Sequence, residues 1–155
     1  MEILITLAVL TILLTMAVST FRGLDEKYKV EMETKQLYTD LMEARAFASQ
    51  RYRVLFVRTS ANSYQTYEDT NPAPDGNGSL ENASDTRVAN VTVLHTIVPT
   101  LPGGVTGFEF DRNGIASASG NIRFVSTAAP DYDCITILPT RIKMGQYSGG
   151  TCVEK

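Results

Sequence analysis

One carboxylate opens an apolar run. Glu2 is followed from Ile3 to Val18 by a stretch with no charged residue, no Gly and no Pro, and its apolar positions form no single stripe. A helix that is apolar all round belongs in a membrane or among similar helices, where an ionised carboxylate is costly and marks a functional position with a partner. Two cysteines, Cys134 and Cys152, share the C-terminal quarter at a spacing that suits neither a zinc knuckle nor a CxxC redox motif. In an oxidising compartment they would form a disulfide; otherwise they are two buried thiols. Arg141 and Lys143 alternate on a β-patterned segment, so their side chains share a face suited to a run of phosphates.

Other residues invite blander readings. The polar stretch from Asp69 to Asp85 carries hard oxygen ligands suited to calcium, but its spacing does not fit an EF-hand, and a solvated loop is the expected state. His95 lies among apolar residues with no second His or paired Cys near it, which predicts a packed core residue rather than a ligand. The sequons at Asn77, Asn82 and Asn90 read as chance matches in an Asn- and Ser-rich region. The chain has no nucleophile elbow, P-loop or metal-ligand cluster. The reading is a non-enzyme with no metal and no cofactor.

The elements that position these residues follow from the periodicity. The chain has 155 residues and a net charge of −3, sufficient for one domain plus an apolar segment and without the excess of positive charge that nucleic-acid binders carry. Residues 1–53 hold equal numbers of acidic and basic side chains, so the negative balance falls on 54–155. Residues 1–22 lack the basic start and cleavage site of a signal peptide, and an ordinary membrane anchor would leave Glu2 unexplained. Beyond Gly23, apolar or small residues recur at Val30, Thr34, Leu37, Leu41, Ala44, Ala48, Tyr52 and Leu55, one face of a helix, with Glu31, Lys35, Glu43 and Gln50 opposite. This predicts a nearly continuous helix to about Arg53, roughly 80 Å long at 1.5 Å per residue.

From Val54 the period becomes two. Strands are predicted at 54–57 and 63–67, joined near Ser60–Asn62, and then at 87–98, 105–110, 121–126, 134–138 and 140–144, with turns at 99–104 and 111–114. Helix first and strands afterwards predicts an α+β fold with a mainly antiparallel sheet packed on the helix. The division is 1–22 as the membrane or filament-core half of the helix, 23–53 as its amphipathic half, and 54–155 as a β-rich domain.

Met1-Glu2-Ile3-Leu4-Ile5-Thr6-Leu7-Ala8 resembles the end of the Phe-Thr-Leu-x-Glu motif that begins type IV pilin-like proteins. Residues 41–51, containing Ala44-Arg45 and Ala48, and the Phe108–Gly114 segment are similar to the Leu-x-x-Ala-Arg-x-x-Ala and Phe-Asp-x-x-Gly segments of the GspH/FimT family of minor pilins and pseudopilins. The family's leader, its glycine and its first three mature residues have no counterpart here, and the resemblance attributes this to a late start or to trimming. Ser19 replaces a proline common among relatives, so the helix should be straighter there.

The resemblance implies the type IV pilin fold and a single-pass protein of the bacterial inner membrane, processed by prepilin peptidase, with its C-terminal domain in the periplasm or on a filament. It further implies a structural subunit of a type II secretion pseudopilus or type IV pilus whose partners are other pilin subunits. Glu2 would pair with the N-terminal amine of a neighbouring subunit and set the assembly register, and Cys134 and Cys152 would close the domain. Two alternatives stand beside this reading: a DNA-binding minor pilin using Arg141 and Lys143, and a single-span membrane protein with a periplasmic binding domain.

Overall fold

The computed structural model describes residues 2–155, except the side chains of residues 2, 4, 8, 13 and 15–22. Residues Glu2–Arg51 form one α-helix, α1, of 50 residues, about 75 Å at 1.5 Å per residue. Its C-terminal half follows the predicted face: Val30, Thr34, Leu37, Leu41, Ala44 and Ala48 are all buried. The Glu31–Lys35 pair forms at 3.6 Å on the other side.

The face stops one turn short of prediction. Tyr52 adopts a left-handed conformation (φ 55°) and is exposed, while the Arg53 N–H donates to the Ala48 carbonyl at 3.2 Å. This is the six-to-one closure of a Schellman cap, in which glycine usually occupies the left-handed position. Here a tyrosine occupies it, with the Arg112 guanidinium 5.6 Å from its ring centroid.

The strands make two antiparallel sheets where one was predicted. The first has the order β3 (Thr86–Thr92), β2 (Ser63–Glu68), β1 (Leu55–Ser60), β5 (Gly107–Phe110). The second has the order β4 (Thr96–Thr100), β6 (Gly120–Val125), β7 (Cys134–Leu138), β8 (Arg141–Ser148), β9 (Thr151–Glu154). The predicted strand 87–98 is split between them, as β3 and β4. Its break, Val93–His95, passes the β1–β2 turn, where Val93 N donates to Asn62 O and Ile97 N to Ala61 O. Leu94 N and His95 N are taken instead by the Glu33 carboxylate of α1, at 2.6 and 3.2 Å. Pro99 lies within β4, and the turn that follows is a 3-10 turn at Pro102–Gly104. Strand β9 lies beyond the last predicted strand.

Helix α1 packs on β1 and β5 of the first sheet and on β7 and β8 of the second. Leu37 and Leu41 therefore share one core with Leu55, Val57, Tyr64, Phe108 and Phe110 and with Ile97, Ile122, Phe124, Ile135, Ile137 and Ile142. Each such side chain contributes about 2 kcal/mol by leaving water, and together they anchor the second half of the helix in the domain.

Candidate functional site

The site begins where that core ends. Among the described residues, Val30 is the first buried one of α1. Before it the described large apolar side chains, Ile3, Ile5, Leu7, Val9, Leu10, Ile12 and Leu14, are each more than half exposed. At 100° per residue these positions fall into two groups on opposite sides of the axis, so the projecting half offers no single docking face. The Glu2 side chain, on which the assembly expectation rests, lies outside the described residues. So does much of the stretch expected to span a membrane. Among the described residues, no helix is long and apolar enough to cross one.

A polar collar surrounds the point at which the helix leaves the domain. On one side, Lys27 pairs with Asp131 at 3.2 Å, and Glu31 accepts the Asp131 backbone N–H at 2.9 Å. Lys155 approaches the same carboxylate at 3.5 Å, and hydrogen bonding and charge from Lys27, then from Lys155, hold Asp131 below the usual carboxylate range. On the other side His95, buried as predicted, is not packed among apolar groups. Its Nδ1 is 2.7 Å from Glu33 and its Nε2 is 2.9 Å from Glu26. Burial alone would lower the imidazole pKa, but the hydrogen bonds and charges of Glu33 and Glu26 outweigh it and raise it above the ordinary 6.5. Glu26 and Glu33 are seven residues apart, two turns on one helix face, and that spacing was the only sequence signal that they could grip one group. Farther along, the Tyr64 hydroxyl donates to Asp40, and burial together with that carboxylate drives the phenol pKa far up.

The remaining candidate residues lie elsewhere. Cys134 and Cys152 are joined as a disulfide with Cα atoms 5.9 Å apart. Arg141 and Lys143 do share a face of β8, but Lys143 is paired with Glu154 of β9 at 2.5 Å. Hydrogen bonding and charge from Lys143, with Arg141 adding to it, lower the Glu154 pKa. Of the two cations, Lys143 is thus paired within the sheet, while Arg141 is exposed.

The 69–85 loop is built on two buried carboxylates. Asp69 accepts the N–H groups of Asn77 and Gly78 at 3.2 and 2.7 Å. Asp85 accepts those of Thr70, Asn71 and Glu81 at 3.1, 3.2 and 2.7 Å. Their oxygens staple the loop backbone. Among the described residues no three His, Cys, Asp or Glu side chains are grouped to hold a metal ion.

This arrangement makes a prediction. A Cβ at Gly76 (φ 75°) would sit inside the Asp69 carboxylate, whereas one at Gly78 (φ 78°) would meet nothing. Both substitutions by alanine carry the left-handed penalty of about 1–2 kcal/mol. Only Gly76→Ala should also free the loop, seen as faster limited proteolysis between residues 70 and 84 than in Gly78→Ala.

Residues 33–140, well over half of the chain, match the family described as GspH, type II transport protein. The chain belongs to the GspH family. No curated protein and no solved structure matches it significantly. GspH proteins are minor pseudopilins of type II secretion, structural rather than enzymatic, and proteins of the inner membrane and periplasm. The family implies other components of the type II secretion pseudopilus as partners. Its matched region begins at Glu33, one of the two carboxylates that face His95.

Proposed function

We propose that this GspH protein is a structural subunit that joins the type II secretion pseudopilus through the N-terminal half of α1. The observation that carries the reading is the contrast within one unbroken helix. Its second half is anchored in a two-sheet core, while the described apolar side chains of its first half are presented to solvent on opposite sides of the helix. A helix with apolar residues on opposite faces is stable only when covered, first by the lipid of the inner membrane and then by the helices of neighbouring subunits. The β domain stays in the periplasm or on the filament surface.

In this reading Glu2 is the register element. Its carboxylate pairs with the terminal amine of a neighbouring subunit, because an unpaired carboxylate in apolar surroundings costs several kcal/mol. Replacing Glu2 with Ala in the full-length gene is therefore expected to reduce co-purification with the pseudopilus and secretion by at least about tenfold, the equivalent of only about 1.4 kcal/mol. The membrane-bound level of the protein should stay unchanged. Normal incorporation of the variant would overturn the register role.

A further inference from the structure

We propose that His95 is a pH-operated latch that ties the exit turn of α1, residues 24–29, to the β domain when the imidazole is protonated and releases it when the imidazole is neutral. The geometry carries this. His95 is the single histidine of the chain, its side chain is 9% exposed, and each ring nitrogen faces a carboxylate of the same helix. An imidazolium donates from both nitrogens and satisfies both carboxylates, whereas a neutral imidazole has one N–H and one lone pair. Loss of the proton therefore leaves one carboxylate facing a lone pair.

The two carboxylates are not equivalent. Glu33 is 15% exposed and also accepts the backbone N–H groups of Leu94 and His95, so it stays fixed with or without the proton. Glu26 is 42% exposed and, among the described residues, accepts hydrogen bonds from His95 and, at 3.5 Å, from the Ser126 hydroxyl. It is the arm that lets go. The charged groups facing the imidazole are these two carboxylates, both from α1; Ser126, after β6, adds a neutral hydroxyl. Behind Glu26 stands Lys29, which is paired with Asp25 at 2.5 Å, and Glu33 also acts on the Tyr64 phenol, which donates to Asp40.

The sign follows. The folded imidazole titrates above its ordinary 6.5, so the latch is fully closed below that pH and opens as pH rises through the higher folded value. Its effect falls on the turn that sets how the projecting half leaves the domain. Its existence rests on the fold alone; its use in packing neighbouring helices rests on the proposed function.

The test uses the full chain, unassembled in detergent micelles, so a failure of the assembly reading would leave the result untouched. Imidazole NMR shifts are followed from pH 5 to 9, together with amide protection of residues 24–29 corrected for intrinsic exchange. The expected result is a His95 midpoint above 6.5 and a several-fold loss of protection in the exit turn through that midpoint. Glu26→Gln, a change at a part-exposed site, should lower the midpoint and abolish the pH dependence of protection. A midpoint at or below 6.5 would overturn the proposal, as would exit-turn protection that does not follow the His95 titration.

Discussion

Replacing Glu68 with alanine is expected to destabilise the domain by about 2–3 kcal/mol, a fall in thermal midpoint of roughly 4–12 °C. Glu68 ends β2, is 4% exposed, and holds two arginines at once: Arg51 at 2.6 Å on one carboxylate oxygen and Arg53 at 3.0 Å on the other. Arg53 also donates to the Pro74 carbonyl at 2.7 Å. One carboxylate thus joins the last turn of α1, the first sheet and the 69–85 loop. Removing one partner of a buried ion pair commonly costs about 3–5 kcal/mol. The lower figure applies because the Arg51 side chain is 53% exposed and Arg53 31%, so water recovers part of their solvation. Glu68→Gln keeps the shape and one acceptor and should lose about half as much. Equilibrium unfolding by circular dichroism would check both. An alanine variant within about 0.5 kcal/mol of the parent would mean that the arginines are fully resolvated without it.

That triad illustrates which parts of this molecule the sequence discloses. The helical face from Val30 to Ala48 was legible because a period of 3.6 is a local property, readable without knowing what the face touches. The first hairpin was legible for the same reason, with its period of two and a short turn at Ala61-Asn62. The split of 87–98 was not. Its residues are rich in β-branched side chains and include no Gly or Pro to mark a break before Pro99, and what ends the ladder is the Glu33 carboxylate, sixty-one residues away from Leu94 in sequence. Tyr52 escaped because the left-handed cap usually announces itself by glycine. His95 was correctly placed inside, yet its partners come from a helix that no short-range rule connects to it. Arg141 and Lys143 lie on a predicted strand, but Glu154, which pairs with Lys143, sits on a four-residue strand too short for its period to show. Local period fixes which residues turn inward; it is silent on the long-range ion pairs that decide what each charge is for.

Removal of the disulfide by Cys134→Ala with Cys152→Ala is expected to cost about 3 kcal/mol, from the chain entropy returned to an unfolded state no longer closed by a loop of this length. The native-state consequence is local. Strand β9 has four residues, lies at the sheet edge and pairs only with β8. Cys134 is fully buried in β7, so the bond ties β9 past β8 to the interior of the sheet. It passes beside Gly145, where an added Cβ would lie 3.1 Å from the Cys152 sulfur and closer still to the Val153 carbonyl. Without the bond, amide protection of 151–154 should fall several-fold while that of β6 and β7 is retained, and the thermal midpoint should drop by roughly 6–12 °C. Reductant should reproduce the drop in the parent and leave the double variant unchanged. If both proteins melt together in oxidising buffer, the bond contributes nothing beyond the β8–β9 ladder. Fraying of β9 also withdraws Glu154 from Lys143. Lys143 is then open to anions beside the exposed Arg141, and a salt-sensitive interaction with polyphosphate stronger there than in the oxidised parent would show that the disulfide keeps Lys143 paired.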